Sequence, residues 1–133
     1  ALQQAGIQNP GHYIRHYTGR MDMLSDITDY IEQIADSGVT FDGIIAAEDS
    51  LAVGGIKYAM RRGLLIPEEL SIIGYNNSIL TGCCTPELTS VDNRLETLTH
   101  QLVQTLLHVI DGEEMPKKAV YAGRLIKRAT TSF

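Results

Sequence analysis

Three short β-prone runs, each leading straight into polar residues and separated by helical periodicity, constrain this chain more than any other feature. Residues 42–47 (DGIIAA) run into Glu48, Asp49 and Ser50, and residues 70–75 (LSIIGY) run into Asn76, Asn77 and Ser78. A weaker run over residues 12–17 (HYIRHY) leads into Thr18, Gly19 and Arg20. Strands joined through helices must lie parallel, because a helix carries the chain back to the edge from which it started. The expected fold class is α/β, a parallel sheet flanked by helices. Ligands of such sheets bind outside the carboxyl ends of the strands, so the polar clusters mark where a small molecule would be read.

The intervening segments support this order. Leu24, Ile27, Tyr30, Ile31, Ile34 and Ala35 recur at helical spacing over residues 23–37, with Gly38 closing the helix. The apolar run 43–47 reads as a strand buried on both faces. A second helix is expected from Asp49 or Ser50, either of which suits an N-cap, to Arg62, with Gly63 after it. Gly54 and Gly55 lie inside that helix, and each costs about 1 kcal/mol relative to Ala. Their presence implies close approach by a strand, a ligand or a second subunit. Residues 1–6 read as the end of a helix closed by a left-handed Gly6. Residues 78–87 read as a loop and 88–91 as a short extended piece. A long helix capped by Asp92 or Asn93 then runs to Ile110 and ends at Gly112. Its stripe of Leu95, Leu98, Leu102, Val103, Leu106, Leu107 and Ile110 is wide for the edge of a small domain and calls for a substantial covering surface. Residues 119–126 read as a last strand.

Composition narrows the functional classes. The chain has 133 residues and a net charge of −5, so it offers no basic face for phosphate backbones within itself. No apolar run approaches the ~18 residues of a membrane span, so no membrane partner is expected. The start, ALQQAG, carries neither a signal peptide nor an initiator Met, and the expectation is a fragment of a longer protein. The two cysteines are adjacent, Cys83 and Cys84. That spacing suits neither a mutual disulfide nor a metal knuckle, and implies reduced thiols. His12, His16, His100 and His108 do not form a ligand set, so no metal and no cofactor is expected. Phosphate-binding loops, nucleophile elbows and zinc-protease motifs are absent.

Chemistry remains at the polar clusters. Glu48 and Asp49 are open to three roles: a helix cap with a solvated loop charge, a ligand contact at Glu48, or a paired-carboxylate acid–base site. Adjacent strand-end side chains point in different directions, which disfavours the last. Asn76 and Asn77 suit either a tight turn or a hydroxyl-reading contact. Arg20 reads as a surface charge.

Residues 41–54 (FDGIIAAEDSLAVG), 63–77 (GLLIPEELSIIGYNN), 86–91 (PELTSV) and 125–131 (LIKRATT) occur in an order and spacing that resemble the effector-binding domain of the lac repressor/galactose repressor family. The resemblance covers about residues 38–131. It implies a two-lobed domain of the type I periplasmic-binding-protein kind, joined in the complete protein to a helix-turn-helix headpiece absent from this chain. The expected divisions are residues 1–91 in the C-terminal lobe, 92–118 as a crossover helix belonging to a missing N-terminal lobe, and 119–133 returning to the C-terminal lobe. The implied function is effector binding and dimerisation in a cytoplasmic bacterial transcriptional regulator, with no enzymatic activity. The implied partners are a sugar or sugar derivative, a second copy of the chain, and operator DNA reached only through the headpiece.

Carried over position by position, the resemblance puts the effector at Glu48, Asn76, Asn93 and the region of Met21, with Leu95 as an apolar wall. It puts the two-fold contact at Val53, Lys57, Cys83 and Cys84. The family pattern has Asn where this chain has Glu48 and Asp where it has Asn76, an exchange of charge and amide between neighbouring strand ends. The alternative within the same architecture is a periplasmic sugar-binding protein of the ribose type. The enzyme alternative would use Glu48 and Asp49 as acid and base. The terminal Arg128, Ala129, Thr130 and Thr131 and the vicinal thiols favour the regulator.

Overall fold

The computed structural model describes residues 3–19, 24–116 and 118–132. Its sheet has four strands in the order β1 (Gly43–Ile45), β2 (Ser71–Tyr75), β3 (Thr89–Asp92) and β4 (Arg124–Ile126). The first three run parallel, with Ile45 opposite Ile73 and Tyr75 opposite Val91, and β4 runs antiparallel to β3. The sheet is therefore mixed, because the chain returns along β3 from the far end of a long helix.

Helix α1 (Leu24–Asp36) ends where its periodicity does, and Gly38 follows at φ 88°. Helix α2 (Asp49–Arg62) ends at a left-handed Gly63, φ 68°. It lies on the sheet through Ala52, Ile56 and Ala59, all buried, and meets Leu70, Ile72 and Leu88 in the core. The two interior glycines of α2 have separate partners. A Cβ on Gly54 would sit 2.3 Å from Cγ2 of Ile27 on α1, and one on Gly55 would sit 3.2 Å from Ile44 and 3.5 Å from Ile72. Close approach by α1 on one side and the sheet on the other explains the pair. Gly54→Ala would gain about 1 kcal/mol of helix propensity. It would lose about 1–3 kcal/mol to overpacking against Ile27. A net destabilisation of about 1 kcal/mol is expected in urea titration, with the slope unchanged.

Residues 12–17 do not form a strand. Pro10–Tyr13 is a 3₁₀ turn, and Ile14 to Gly19 has no regular structure. The segment still lies near β1. Tyr30 Oη donates to the His16 carbonyl at 3.2 Å, and the rings of Tyr17 and Tyr30 are 5.4 Å apart. Tyr13, Arg15 and Tyr17 line an apolar cavity of about 290 Å³ with Ile31, Ile34 and Ile44. Among the described residues β1 is an edge strand, and it is not buried on both faces: Ile45 is 82% exposed. Residues 3–6 form a turn closed by Gly6 at φ 81°.

Further along, the loop after Asn77 holds a short helix, α3 (Leu80–Cys83). The last strand is only three residues long, and residues 119–123 are irregular. Helix α4 (Leu95–Ile110) has no buried residue. Leu95, Leu102, Leu106 and Ile110 are each about 60–70% exposed. No described helix is long and apolar enough to cross a membrane.

Candidate effector site

The carboxyl edge of the sheet is built by three consecutive strand ends. Glu48 lies three residues beyond Ile45, as Asn76 lies three beyond Ile73, and those two isoleucines are register partners. On the other side of β2, the Asn76 amide donates to the Val91 carbonyl at 2.9 Å, which brings Asn93 alongside. Asn93 Nδ2 donates to Asn76 Oδ1 at 3.0 Å. That bond leaves the Nδ2 of Asn76 and the Oδ1 of Asn93 as a donor and an acceptor for a ligand.

Asn76 and Asn93 border an open cleft of about 640 Å³ with Leu95, Arg94, Asp92 and Glu96, a size ordinary for small-molecule sites. The structure thus brings Asn76, Asn93 and Leu95 to one concavity. Glu48 stands on the same edge, exposed, but does not line this cleft. Met21 and Arg20 lie outside the described residues. The cavity beneath Tyr13 and Tyr17 contains none of the predicted effector positions.

Several site features escaped the sequence. Neither Asp49 nor Ser50 is the cap of α2. The cap position is Glu48, which makes no side-chain cap bond, and Asp49 is the first helical residue. The Asp49 carboxylate is 2% exposed and turns under the sheet edge. Its Oδ1 accepts from Ser90 Oγ at 2.6 Å and its Oδ2 from the Ser78 amide at 2.6 Å. Glu48 and Asp49 therefore face different surroundings and form no acid–base pair. Likewise neither Asp92 nor Asn93 occupies the cap of α4. Arg94 does so in the left-handed region at φ 55°, and its amide donates to Asp92 Oδ1 at 2.8 Å. Arg94 thereby enters the cleft lining. The signal available in the sequence was only that Asp92 stands two residues before it, in the spacing of an Asx turn.

The four positions expected at a two-fold contact lie on adjoining elements. Val53 and Lys57 are one helical turn apart on α2, while Cys83 ends α3 and Cys84 caps it. Cys83 is exposed; Cys84 is half-buried, and its Sγ donates to the Leu80 carbonyl at 3.0 Å. Burial pushes the Cys84 thiol up, with smaller contributions from Cys83 and Asp49. Both thiols are free, and no metal-ligating cluster occurs among the described residues.

Comparison with known proteins places this geometry in a family. The model of the periplasmic binding protein-like domain matches residues 1–131. An HTH-type transcriptional regulator of Lachnoclostridium phytofermentans is 44% identical over 110 residues, 83% of this chain and 33% of that protein. The crystal structure of a sugar-binding transcriptional regulator (LacI family) from Escherichia coli, complexed with phosphate, superposes with a TM-score of 0.82 at 24% identity, covering 98% of this chain and 46% of that one. The complex of the transcriptional regulator CelR with cellobiose superposes at 0.83 with 21% identity, covering 98% and 39%. The chain spans about a third of the length of the curated relatives it matches. It belongs to the periplasmic binding protein-like domain family, in the lac repressor/galactose repressor branch.

Proposed function

We propose that this chain is the C-terminal effector-binding and dimerisation region of a bacterial transcriptional regulator. A polyhydroxylated small molecule, a sugar or sugar derivative, is held at the carboxyl edge of the sheet by Glu48, Asn76 and Asn93, with Leu95 as an apolar wall. The observation that carries this reading is the convergence of three adjacent strand ends on one rim, where two amides are already joined at 3.0 Å beside an open cleft. Carboxylates and amides are the groups that read hydroxyls. The relatives, an HTH-type transcriptional regulator and a sugar-binding transcriptional regulator among them, favour a cytoplasmic regulator over a periplasmic binding protein.

In this reading residues 92–118 leave the lobe formed by 1–91, and α4 packs in a second lobe whose remainder lies outside this chain. Residues 119–133 return to the first lobe. The exposed apolar stripe of α4 supports the division. Val53, Lys57, Cys83 and Cys84 face a second copy across a two-fold axis. Operator DNA is contacted only by a headpiece outside these residues. Effector bound between lobes favours one lobe orientation and so shifts the population that binds DNA.

The test is calorimetric titration of the protein, at the full length of its relatives, with D-glucose, D-ribose, D-gluconate and cellobiose. At least one is expected to bind. Glu48→Ala and Asn93→Ala should each weaken that sugar by about tenfold, the loss of one or two hydrogen bonds, one of them charge-assisted. Unchanged affinity in both variants would remove these residues from the site.

A further inference from the structure

The rim is held in an uncommon backbone conformation. Asn76 and Asn77 are consecutive non-glycine residues at positive φ, 96° and 49°. Asparagine tolerates one such position readily, but two in succession persist only where surroundings enforce them. The enforcing bonds come from far along the chain. The Asn77 amide donates to Ser90 Oγ at 3.1 Å, and Ser90 is itself anchored on the buried Asp49 carboxylate. The Ser78 amide donates to the other oxygen of Asp49. From the opposite side Arg128 spans two acceptors: Nη2 donates to Asn77 Oδ1 at 2.8 Å, and Nη1 to the Leu88 carbonyl at 2.8 Å. Arg128 is fixed in turn because its amide donates to Thr89 Oγ1 at 2.9 Å, while the Thr130 hydroxyl donates to the Ile72 carbonyl at 2.7 Å. Neither Asp49 nor Arg128 lines the cleft.

We propose that Asp49 and Arg128 are positioning residues of the effector site: they clamp the Asn76–Asn77 turn so that the Asn76 amide is presented to the ligand beside Asn93. The proposal rests on the effector reading above and adds to it two residues that touch no ligand. A guanidinium suits the task because its fork reaches Asn77 and Leu88 together, which a lysine ammonium, a single point of donation, cannot do. The clamp ties the rim to the C-terminal tail, so the tail's contribution to binding is through order at the turn.

The experiment uses the protein at the full length of its relatives as wild type, Arg128→Met and Arg128→Lys. Methionine keeps much of the apolar stem and removes the fork. Hydrogen exchange is followed at the amides of Asn77 and Ser78, with the Ala46 amide, bonded to the Ile73 carbonyl in the β1–β2 ladder, as an internal reference. The sugars D-glucose, D-ribose, D-gluconate and cellobiose are titrated in parallel. In Arg128→Met, exchange at Asn77 and Ser78 is expected to rise about tenfold with Ala46 unchanged, and the affinity of a bound sugar to fall by about tenfold. Arg128→Lys should recover part of both. Unchanged exchange at the turn, or an equal rise at Ala46, overturns the clamp. Faster exchange at the turn with sugar affinity intact overturns the positioning role and leaves the effector reading standing. If the wild type binds none of the four sugars, the effector reading itself fails, and the positioning role with it.

Discussion

Asp49→Ala is expected to destabilise the fold by about 2–4 kcal/mol. The carboxylate is buried, and it accepts from the buried Ser90 hydroxyl and from the part-buried Ser78 amide. Leaving a buried polar group unpaired costs about 1–3 kcal/mol. Removing the buried charge returns part of its own desolvation, which holds the total below the sum of two such groups. Its place in the first turn of α2 adds a favourable interaction with the helix dipole, which alanine also loses. Asp49→Asn keeps the volume and one acceptor but faces the other donor with an amide N–H, so about half the loss is expected. Gly74 leaves no slack for a larger replacement at 49. A Cβ at Gly74 would already sit 2.3 Å from the Asp49 carboxylate. Urea titration checks this prediction: the midpoint should fall in both variants, more in alanine, with the slope retained.

The second large effect concerns α4. In the 133-residue chain its amides are expected to exchange hundreds of times faster than those of α2. The helix has sixteen residues and none of them is buried. A helix of about that length without tertiary packing is marginal in water. Helix α2, by contrast, buries Ala52, Ile56, Tyr58 and Ala59, so its amides open only with the core. The contact of His108 Nδ1 with the Glu113 carboxylate at 2.8 Å is exposed and adds little at the far end. When the rest of the protein is present, covering Leu98, Leu102 and Leu106 supplies about 1.5–3 kcal/mol for each leucine fully buried. Protection in α4 should then rise to that of α2. Hydrogen exchange read by mass spectrometry on both lengths checks this directly. Equal protection of α4 and α2 in the short chain would mean that α4 finds its cover within these residues.

What could be read from the sequence was the part fixed by local pattern. Helices α1 and α2, their glycine stops and strand β2 follow from apolar spacing within about fifteen residues, and the structure has them at nearly those bounds. The uncovered stripe of α4 was visible for the same reason. Residues 12–17 misled because a short run holding two tyrosines and an isoleucine has the composition of strands in general. Whether a run becomes a strand depends on a partner ladder, and here Tyr13, Arg15 and Tyr17 turn toward a cavity instead. Glu48 and Asn76 were found on the expected edge because strand ends are themselves local. The clamp was not legible, since Asp49 with Ser90 and Arg128 with Asn77 are 41 and 51 residues apart. Asp49 reads as a helix cap from its neighbours alone. Its true partners follow only from the crossover that lays β3 beside β2.

The most direct test of the account is a crystal structure of the protein, at the full length of its relatives, grown with whichever of D-glucose, D-ribose, D-gluconate or cellobiose binds it in calorimetry. The sugar is predicted to lie beyond the carboxyl ends of β1, β2 and β3. Its hydroxyls should be within hydrogen-bond reach of Glu48, Asn76 and Asn93, its apolar face against Leu95, and α4 buried by the second lobe. A sugar bound away from that edge, in contact with none of the three polar residues, would contradict the assignment.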